Sequence, residues 1–411
     1  MAVRLLRQPR LVVPAIALLS LSAIPSAVQA QWVRTNGLTG EDIVSFTAIG
    51  GNLFAAGYEH GAYRSTDGGA NWFQVGLGGV SLYVLATSGT KLIAGRMSDG
   101  IYLSADGGAN WVQMNAGLTN RQITSISVNG TTFLAGTSTG VFQSTDAGTS
   151  WSQIQNDFAN TEVNAYAFSG TGVYAGTERG VFLSTNNGSA WTAVNSGLTN
   201  THVNALAISG ANVFAGTGGG VFLSTNNGSS WTQDTAGLGS NPIHAFALFE
   251  ATLFAGTSAS GIYVSRNGGA CWTQVNSGLS TEGGITVVGA LHVSNSFLFA
   301  GVDGGIWRRP LSELTSAQPL VGELPSEPKL FQNYPNPSNP STRINYSLSK
   351  AGHVQLRMLD PLWRIVTALV DRKENPGEHS VTWSGGGGGR RISSGVYFYQ
   401  LSVDGTAPFI C

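Results

Sequence analysis

Seven tryptophans divide most of the chain into units of nearly equal length. They lie at positions 32, 72, 111, 151, 191, 231 and 272, so the successive spacings are 40, 39, 40, 40, 40 and 41 residues. Six of them end an octet: STDGGANW, SADGGANW, STDAGTSW, STNNGSAW, STNNGSSW and SRNGGACW. A fixed period of this length indicates a repeat architecture, in which each unit buries its apolar surface against its neighbours.

Each unit contains four segments that favour β-strands. Between positions 203 and 238 they are VNALAIS (203–209), NVFAGT (212–217), GVFLST (220–225) and WTQDTAGL (231–238). They are rich in β-branched and aromatic residues and are bounded by Gly, Asn or Ser, which favour turns. Four strands in about forty residues is the size of one β-propeller blade.

The two ends of the repeat region each contain part of a blade. WVRTNGL at 32–38 has the pattern of a fourth strand, and ITVVGALHV, FLFAGV and GGIWRRP supply three strands before the pattern stops at Pro310. We expect the first fragment to complete the last blade, because this removes an open sheet edge. The sequence therefore predicts an all-β fold with a seven-bladed β-propeller over residues 31–311.

The octet has the chemistry of a turn between the third and fourth strands of a blade. In the first copy the Asp67 side chain can accept backbone N–H bonds two residues further on, Gly69 supplies a positive φ, and Trp72 buries a large apolar surface. A calcium site or a catalytic acid would not tolerate the observed exchange of Asp for Asn. We therefore predict a structural role for Ser65, Asp67, Gly69 and Trp72 and for their counterparts Asp106, Trp111, Asp146, Trp151, Asn186, Trp191, Asn226, Trp231, Asn267 and Trp272.

This octet resembles the Asp box, or bacterial neuraminidase repeat, of sialidase-like, sortilin-like and photosystem II assembly-factor propellers. The resemblance implies an architectural octet on the outer rim, away from the active face. A sialidase would also have an arginine triad, a Tyr–Glu nucleophile pair and an Asp acid. The usual Arg-Ile-Pro segment is absent, since Arg34 is followed by Thr35 and Asn36.

Candidate ligand-binding residues lie on the face formed by the links between blades and the turns between second and third strands. Second positions of the innermost strands line the channel, and they read Val44, Tyr83, Thr124, Asn164, Asn204 and His244. The candidates are Tyr83, Arg96, Asp99, Asn164, Glu178, Arg179, Asn204 and His244, although solvated loop charges and ordinary channel lining explain the same residues. Asp99 and Glu178 lie two blades apart, so no catalytic residue is assigned. Two cysteines and scattered histidines give no metal-ligand spacing, and no cofactor is expected.

A different composition begins after residue 311. Residues 312–329 are rich in Pro, Ser and Glu and are typical of a linker. TRINYSL, HVQLRML, IVTALVD, HSVTWSG and GVYFYQLSV then alternate as in a small immunoglobulin-like β-sandwich. NYPNPSNPSTRINYSL (333–348), KAGHVQLRMLD, GEHSVTW and SSGVYFYQL resemble the type A C-terminal sorting domain of the type IX secretion system. This resemblance over residues 330–411 implies the type IX secretion machinery as partner and a bacterium of the Bacteroidota. The Gly-rich stretch at 384–393 and the ending DGTAPFIC depart from the family and suggest truncation.

Residues 1–30 have the features of an export signal. Three Arg precede the apolar run LVVPAIALLSLSAI, and VQA offers small residues at a cleavage point. The remaining chain carries 18 basic and 22 acidic residues, a poor composition for binding nucleic acid. No other segment could span a bilayer.

Three functional hypotheses follow from these features. The first is a secreted or surface-displayed, non-catalytic binding or scaffold module for a glycan or a protein, exported through the periplasm. The alternative is a sialidase-like or other glycoside hydrolase. The third is an assembly factor related to those of photosystem II, a role against which the sorting domain argues.

Overall fold

The structure is a computed structural model. It describes residues 31–38, 40–79, 81–154, 161–169, 172–233, 236–279, 286–302, 304–315, 328–331, 342–360, 362–383, 386–387, 390–391, 397–404 and 409–410. The predicted signal peptide, most of the predicted linker and the Pro-rich segment 332–341 lie outside the described residues, as does most of 384–393.

The propeller strands follow the forty-residue period. After β1 (Val33–Arg34), the first three blades comprise β2 (Ile43–Ile49), β3 (Asn52–Gly57), β4 (Gly61–Ser65), β5 (Phe73–Gly76), β6 (Leu82–Ser88), β7 (Lys91–Arg96), β8 (Gly100–Ser104), β9 (Val112–Gln113), β10 (Ile123–Asn129), β11 (Thr132–Thr137), β12 (Gly140–Ser144) and β13 (Ser152–Gln153). Blades 4 to 7 comprise β14 (Val163–Ser169), β15 (Gly172–Thr177), β16 (Gly180–Ser184), β17 (Thr192–Ala193), β18 (Val203–Ser209), β19 (Asn212–Thr217), β20 (Gly220–Ser224), β21 (Thr232–Gln233), β22 (Ile243–Phe249), β23 (Thr252–Thr257), β24 (Ile262–Ser265), β25 (Thr273–Gln274), β26 (Val288–Ser294), β27 (Phe297–Val302) and β28 (Gly305–Pro310).

These strands form seven four-stranded antiparallel sheets that close into a ring. In six blades the strands pair in sequence order, and in the seventh the order is β26, β27, β28 and then β1. Val33 pairs with Arg308, and Arg34 with Trp307. Each innermost strand contacts the innermost strands of both neighbours, and β26 contacts β2. The predicted seven-bladed propeller, closed by its N-terminal strand, is confirmed.

The outermost strands are shorter than the sequence predicts. WTQDTAGL was expected to be a strand, but among its described residues, 231–233 and 236–238, Thr232–Gln233 alone pairs with the third strand of its blade. The following Gly237 takes a positive φ of 82° and approaches the backbone of Trp272 in the next blade. Close contact with that blade therefore replaces further strand pairing.

The octets form compact turns between the third and fourth strands. In the first copy, Ser65 Oγ donates to Asp67 Oδ1 at 2.8 Å and accepts from Gly69 N at 2.9 Å. Asp67 Oδ1 also accepts from the backbone N of Ala70 and of Asn71, each at 3.0 Å. The Asp67 carboxylate therefore accepts from backbone N–H groups three and four residues further along the chain, not two residues further as predicted. Gly69 has φ +80°, and Trp72 is 2% exposed.

The later octets reproduce this turn with Asn in place of Asp. Asn186 Oδ1 accepts from Ser184 Oγ at 2.9 Å and from Ala190 N at 2.8 Å. The tryptophans of the other copies are buried except Trp111, which is half-buried. The equivalent turn acceptors are Asp106, Asp146, Asn226 and Asn267.

A short helix covers the last blade. α1 (Leu311–Thr315) directly follows β28, and its Leu314 is fully buried in the core of the last blades. Arg266 Nε of the sixth octet donates to Leu314 O at 2.8 Å. Residues 312–315, which the sequence places in the linker, therefore pack against the propeller.

The C-terminal region forms two antiparallel sheets. They comprise β29 (Lys329–Leu330), β30 (Thr342–Leu348), β31 (Gly352–Leu359), β32 (Ile365–Glu374), β33 (Gly377–Trp383), β36 (Phe398–Val403) and β37 (Phe409–Ile410), with a separate pair β34 (Gly386–Gly387) and β35 (Arg390–Arg391). One sheet has the order β29–β30–β33 and the other β32–β31–β36–β37. Ile344 and Tyr346 of the first sheet share a buried core with Leu356 and Leu401 of the second. This is the β-sandwich that the alternating sequence predicts.

Candidate functional site

One end of the propeller collects the links between blades and the turns between second and third strands. These two segments are joined by backbone bonds: Tyr58 N donates to Asp42 O at 2.9 Å, and Gly218 N to His202 O at 3.1 Å. The innermost strands begin at this end. We call this face the channel mouth, and it is where the sequence places the candidate ligand-binding residues.

A β-bulge recurs at the start of every innermost strand. The pairing with the second strand skips one residue in each blade, for example between Ile43 and Ser45. Because a bulged residue leaves the ladder, its side chain is aimed differently from its neighbours. The seven bulged residues are Val44, Tyr83, Thr124, Asn164, Asn204, His244 and Gly289.

Three of the bulged side chains bond to the next blade. Thr124 Oγ1 donates to Val163 O at 2.7 Å, Asn164 Nδ2 to Val203 O at 3.1 Å, and Asn204 Nδ2 to Ile243 O at 3.0 Å. Each bond joins the innermost strands of two adjacent blades. Asn164 and Asn204, candidates for ligand binding, therefore have a donor engaged in holding blades together.

Tyr83 and His244 make no such blade-to-blade hydrogen bond within the described ranges of the propeller. The Tyr83 ring lies edge-on to Tyr58 at 5.9 Å between centroids. Burial, followed by the charge of Glu162 and the Tyr58 hydroxyl, raises the pKa of Tyr83. His244 Nε2 lies 2.9 Å from Ser258 Oγ, and burial together with His202 lowers the pKa of His244.

Two carboxylates of blade 4 lie together at the mouth. Burial raises the pKa of Glu162, and the negative charge of Glu178 raises it further, against a smaller effect of His202. Neither carboxylate has a hydrogen-bond or ion-pair partner among the described residues. Arg179 follows Glu178 in the same turn, and its backbone N donates to Thr177 Oγ1 at 3.0 Å. The charge of Glu162 therefore acts on Tyr83, that of Glu178 acts on Glu162, and that of His202 acts on Glu162 and His244.

Two further candidates, Arg96 and Asp99, form a closed cluster in blade 2. Arg96 is 9% exposed and its Nη1 donates to Asp99 Oδ2 at 2.8 Å. The Tyr102 hydroxyl bonds to the same oxygen and lies 3.1 Å from Arg96 Nη1. Both charges therefore have partners within their own blade. None of these contacts places the Asp99 carboxylate next to that of Glu178.

A second closed cluster, which the sequence analysis missed, lies in blade 1. Glu41 is 3% exposed and accepts bonds from Glu59 N and the Tyr63 hydroxyl, each at 3.3 Å. His60 Nδ1 contacts Glu41 Oε2, the same oxygen that accepts from the Tyr63 hydroxyl. Tyr63 and Glu41 are the residue types of a sialidase nucleophile pair, but burial and the Glu41 charge raise the pKa of Tyr63 to about 12. A raised pKa makes the phenol harder to deprotonate, and the phenolate is the stronger nucleophile.

Tyr58, Glu162 and His202 were also missed by the sequence analysis. Glu162 and His202 each precede an innermost strand by one residue, and Tyr58 follows a second strand by one residue. Pro242 and Ser258 occupy the equivalent positions in blade 6. Aligning the seven units by these positions would have found them, since charged or aromatic residues replace small ones there. Within the described part of the chain, no three His, Cys, Asp or Glu residues converge where a metal ion could be held. No helix among the described residues is long and apolar enough to cross a membrane.

The comparisons with known proteins show the fold class. The chain is a seven-bladed β-propeller with an attached β-sandwich, and solved propellers resemble it at low sequence identity. YCF48 bound to D1 peptide has a TM-score of 0.55 at 16% identity, over 68% of this chain and 96% of that chain. The extracellular domain of BT4673 from B. thetaiotaomicron has a TM-score of 0.58 at 16% identity, over 84% of this chain and 48% of that chain.

A third similar structure is PorZ from Porphyromonas gingivalis, described as an essential bacterial surface component of the type-IX secretion system. Its TM-score is 0.52 at 15% identity, over 90% of this chain and 59% of that chain. No protein-family model and no curated protein matches the sequence. At these identities the likeness concerns the fold.

Proposed function

We propose that this protein is an exported, surface-associated β-propeller that binds a ligand at the channel mouth without chemically changing it. This proposal rests on the contrast between two sets of polar groups. Glu41 and Asp99 are engaged within their own blades. Tyr83, Glu162 and Glu178 remain available around the channel, which suits recognition by a rigid surface.

The chemistry of the mouth favours a glycan or a polypeptide segment as ligand. The edge-on pair Tyr58 and Tyr83 offers apolar ring surface with polar tips, which suits sugar rings and peptide side chains. Glu162 and Glu178 provide acceptors for hydroxyl or cationic groups. YCF48, which shares the fold, is known bound to a peptide, and this is compatible with a protein ligand here.

The C-terminal sandwich is proposed as the type IX sorting domain. The segments around TRINYSL and HVQLRML, which carry the resemblance, form its central strands β30 and β31. PorZ and the extracellular domain of BT4673 are surface or extracellular proteins of the same fold. We expect the chain to reach the outside of a Bacteroidota host and a chain lacking residues 330–411 to stay in the periplasm. Equal release of both chains would contradict this role.

The alternative function, glycoside hydrolysis, is favoured by one specific observation. The raised pKa of Glu162 beside the charged Glu178 has the pattern of a general acid next to a second carboxylate. If this function operates, Glu162→Gln should abolish turnover.

A combined screen separates the two functions. The mature chain from residue 31 is applied to a glycan array, and in parallel to sialosides and other chromogenic glycosides. Binding without turnover supports the proposed module. Turnover that is lost in Glu162→Gln establishes the hydrolase instead.

A further inference from the structure

The channel mouth carries two tyrosine rings set at an angle to each other. Tyr83 is the bulged residue at the start of β6, and Tyr58 directly follows β3 of the preceding blade. The ring planes meet at 62°, with 5.9 Å between the centroids. Tyr58 is 36% exposed and Tyr83 is half-buried. The electron-rich face of a tyrosine ring attracts a cation, most strongly where water is partly excluded, so this aromatic corner suits a cationic group.

Two carboxylates add negative charge to the same face. Glu162 directly precedes β14 and is half-buried, whereas Glu178 is exposed in the turn between β15 and β16. The charge of Glu162 raises the pKa of Tyr83, so the carboxylate and the ring are close enough to interact. Glu178 raises the pKa of Glu162 more than His202 lowers it. The local potential at Glu162 is therefore negative.

The protein itself leaves these groups unused. Neither carboxylate has a hydrogen-bond or ion-pair partner in the described part of the chain, and the neighbouring Arg179 is exposed, where solvent weakens its field. Thr161, directly before Glu162, is 2% exposed, and its Oγ1 has no hydrogen-bond partner within the described ranges. A buried hydroxyl of this kind is usually satisfied by a water or a bound molecule. The mouth thus offers negative charge and polar groups to something outside the chain.

We infer that the channel mouth recognises a polypeptide ligand through an arginine side chain. A guanidinium is flat, so it can lie against a ring of the tyrosine pair, and its forked N–H donors match the two oxygens of a carboxylate. A neutral sugar would contact the rings but would leave the negative charge of Glu162 and Glu178 uncompensated. This inference rests on the proposed ligand-binding function and narrows its ligand to a cationic peptide.

Calorimetric titration of the mature chain at low ionic strength tests the inference with three peptides of equal length. Triarginine carries guanidinium groups, trilysine carries compact ammonium groups, and tricitrulline has the shape of triarginine without its charge. Triarginine should bind with a Kd on the order of 1 mM or below. Its affinity should exceed that of tricitrulline about tenfold, and it should also exceed that of trilysine, which has no flat group.

Variants of the mouth locate the contact. Glu162→Gln keeps the shape of the side chain, so its fold should persist, and Tyr83→Ala removes one ring of the corner. Each should weaken triarginine binding about tenfold. Glu250→Gln is the matched control, since Glu250 is exposed in the turn between β22 and β23, at the opposite end of the propeller. Its loss of one carboxylate should leave the affinity unchanged.

The results separate this inference from the proposed function. Triarginine that fails to bind, binds no better than tricitrulline or trilysine, or binds equally well to both mouth variants would overturn the inference. If a neutral glycan from the array binds and Tyr83→Ala abolishes that binding, while triarginine does not bind, recognition at the mouth holds and the arginine inference alone fails. If every ligand from the screen binds both mouth variants as it binds the wild type, the proposed function fails as well.

Discussion

Individual octet residues control how the fold responds to acid. Hydrogen bonds from the Ser150 side chain and backbone lower the pKa of Asp146 to about 2. A carboxyl whose pKa is lower in the folded chain stabilises the fold above its unfolded pKa of about 3.9, and this contribution is lost as the pH falls through the folded value. The acid-sensitive window of this turn therefore lies between about pH 4 and pH 2.

Replacing Asp146 by Asn should flatten this acid response. The fifth octet already contains the resulting pair, since Asn226 Nδ2 donates to Ser230 Oγ at 2.8 Å. We expect Asp146→Asn to unfold in urea at nearly the wild-type midpoint at pH 7 and to lose less stability between pH 4 and pH 2. Asn226→Asp should do the reverse. Parallel pH profiles for all three proteins would contradict this account.

His292 should give a second pH dependence, at higher pH. Its ring stacks on Phe46 of the first blade at 6.2 Å between centroids. Its Nε2 is buried with no hydrogen-bond partner in the part of the chain that the structure describes, and burial lowers the pKa of His292 to about 4. The unfolded chain takes up this proton below about pH 6.5, so the folded state loses stability as the pH falls from 6.5 to 4. His292→Leu should remove this loss, on the order of 3 kcal/mol at pH 4. Urea midpoints across this range test it, and an unchanged slope would count against it.

At the scale of single elements, the rim of the propeller depends on glycines that lie against the next blade. Gly117 has φ +82°, and a Cβ there would be 2.1 Å from Trp151 O. Trp151 N also donates to Ala116 O at 2.8 Å. The same glycine contact recurs at Gly37, Gly197 and Gly237. At these four links the chain therefore requires both a positive φ and the absence of a side chain.

Two glycine variants separate these requirements. Gly130 has φ +60° but no atom within 4 Å of a Cβ position. Gly130→Ala should cost about 1 kcal/mol from backbone strain alone. Gly117→Ala should cost about 3 kcal/mol or more, because the backbone of two blades must separate. Equal unfolding free energies for the two variants would show that the contact with Trp151 is unimportant.

The helix α1 should behave as part of the propeller. Leu314 is fully buried, whereas Ser312 of the same helix is exposed. Leu314→Ala should reduce the free energy of unfolding by about 2–5 kcal/mol, because it leaves a cavity in the core of the last blade. Ser312→Ala is the matched control, and thermal unfolding of both variants gives the comparison. A negligible effect at Leu314 would mean that the propeller ends at Pro310.

For the whole molecule, the repeat period predicted the architecture well because every unit obeys the same packing rules. VNALAIS and NVFAGT coincide with the first and second strands of their blade, Val203–Ser209 and Asn212–Thr217. The closure by Val33–Arg34 followed from two incomplete units. The short outermost strands were not predicted, since their length is set by contact with the next blade.

The candidate site was harder to predict because its properties depend on contacts between blades. Asn164 and Asn204 are polar residues at the channel, but only the structure shows their bonds to the adjacent blade. Arg96 and Asp99 have the residue types of a binding pair, yet each has a partner within its own blade. Glu162 and Glu178 are available to a ligand because neither has a hydrogen-bond or ion-pair partner among the described residues. The spacing of residues in the sequence cannot reveal this.

The most direct test of ligand recognition at the channel mouth is a calorimetric titration of the best ligand from the screen. Tyr83→Ala and Glu162→Gln would be compared with Asn129→Ala, an exposed residue at the opposite end of its innermost strand. We predict that both mouth variants weaken binding about tenfold or more, which corresponds to about 1.4 kcal/mol. Asn129→Ala should bind like the wild type. Undiminished affinity in both mouth variants would contradict the account and place the ligand elsewhere on the molecule.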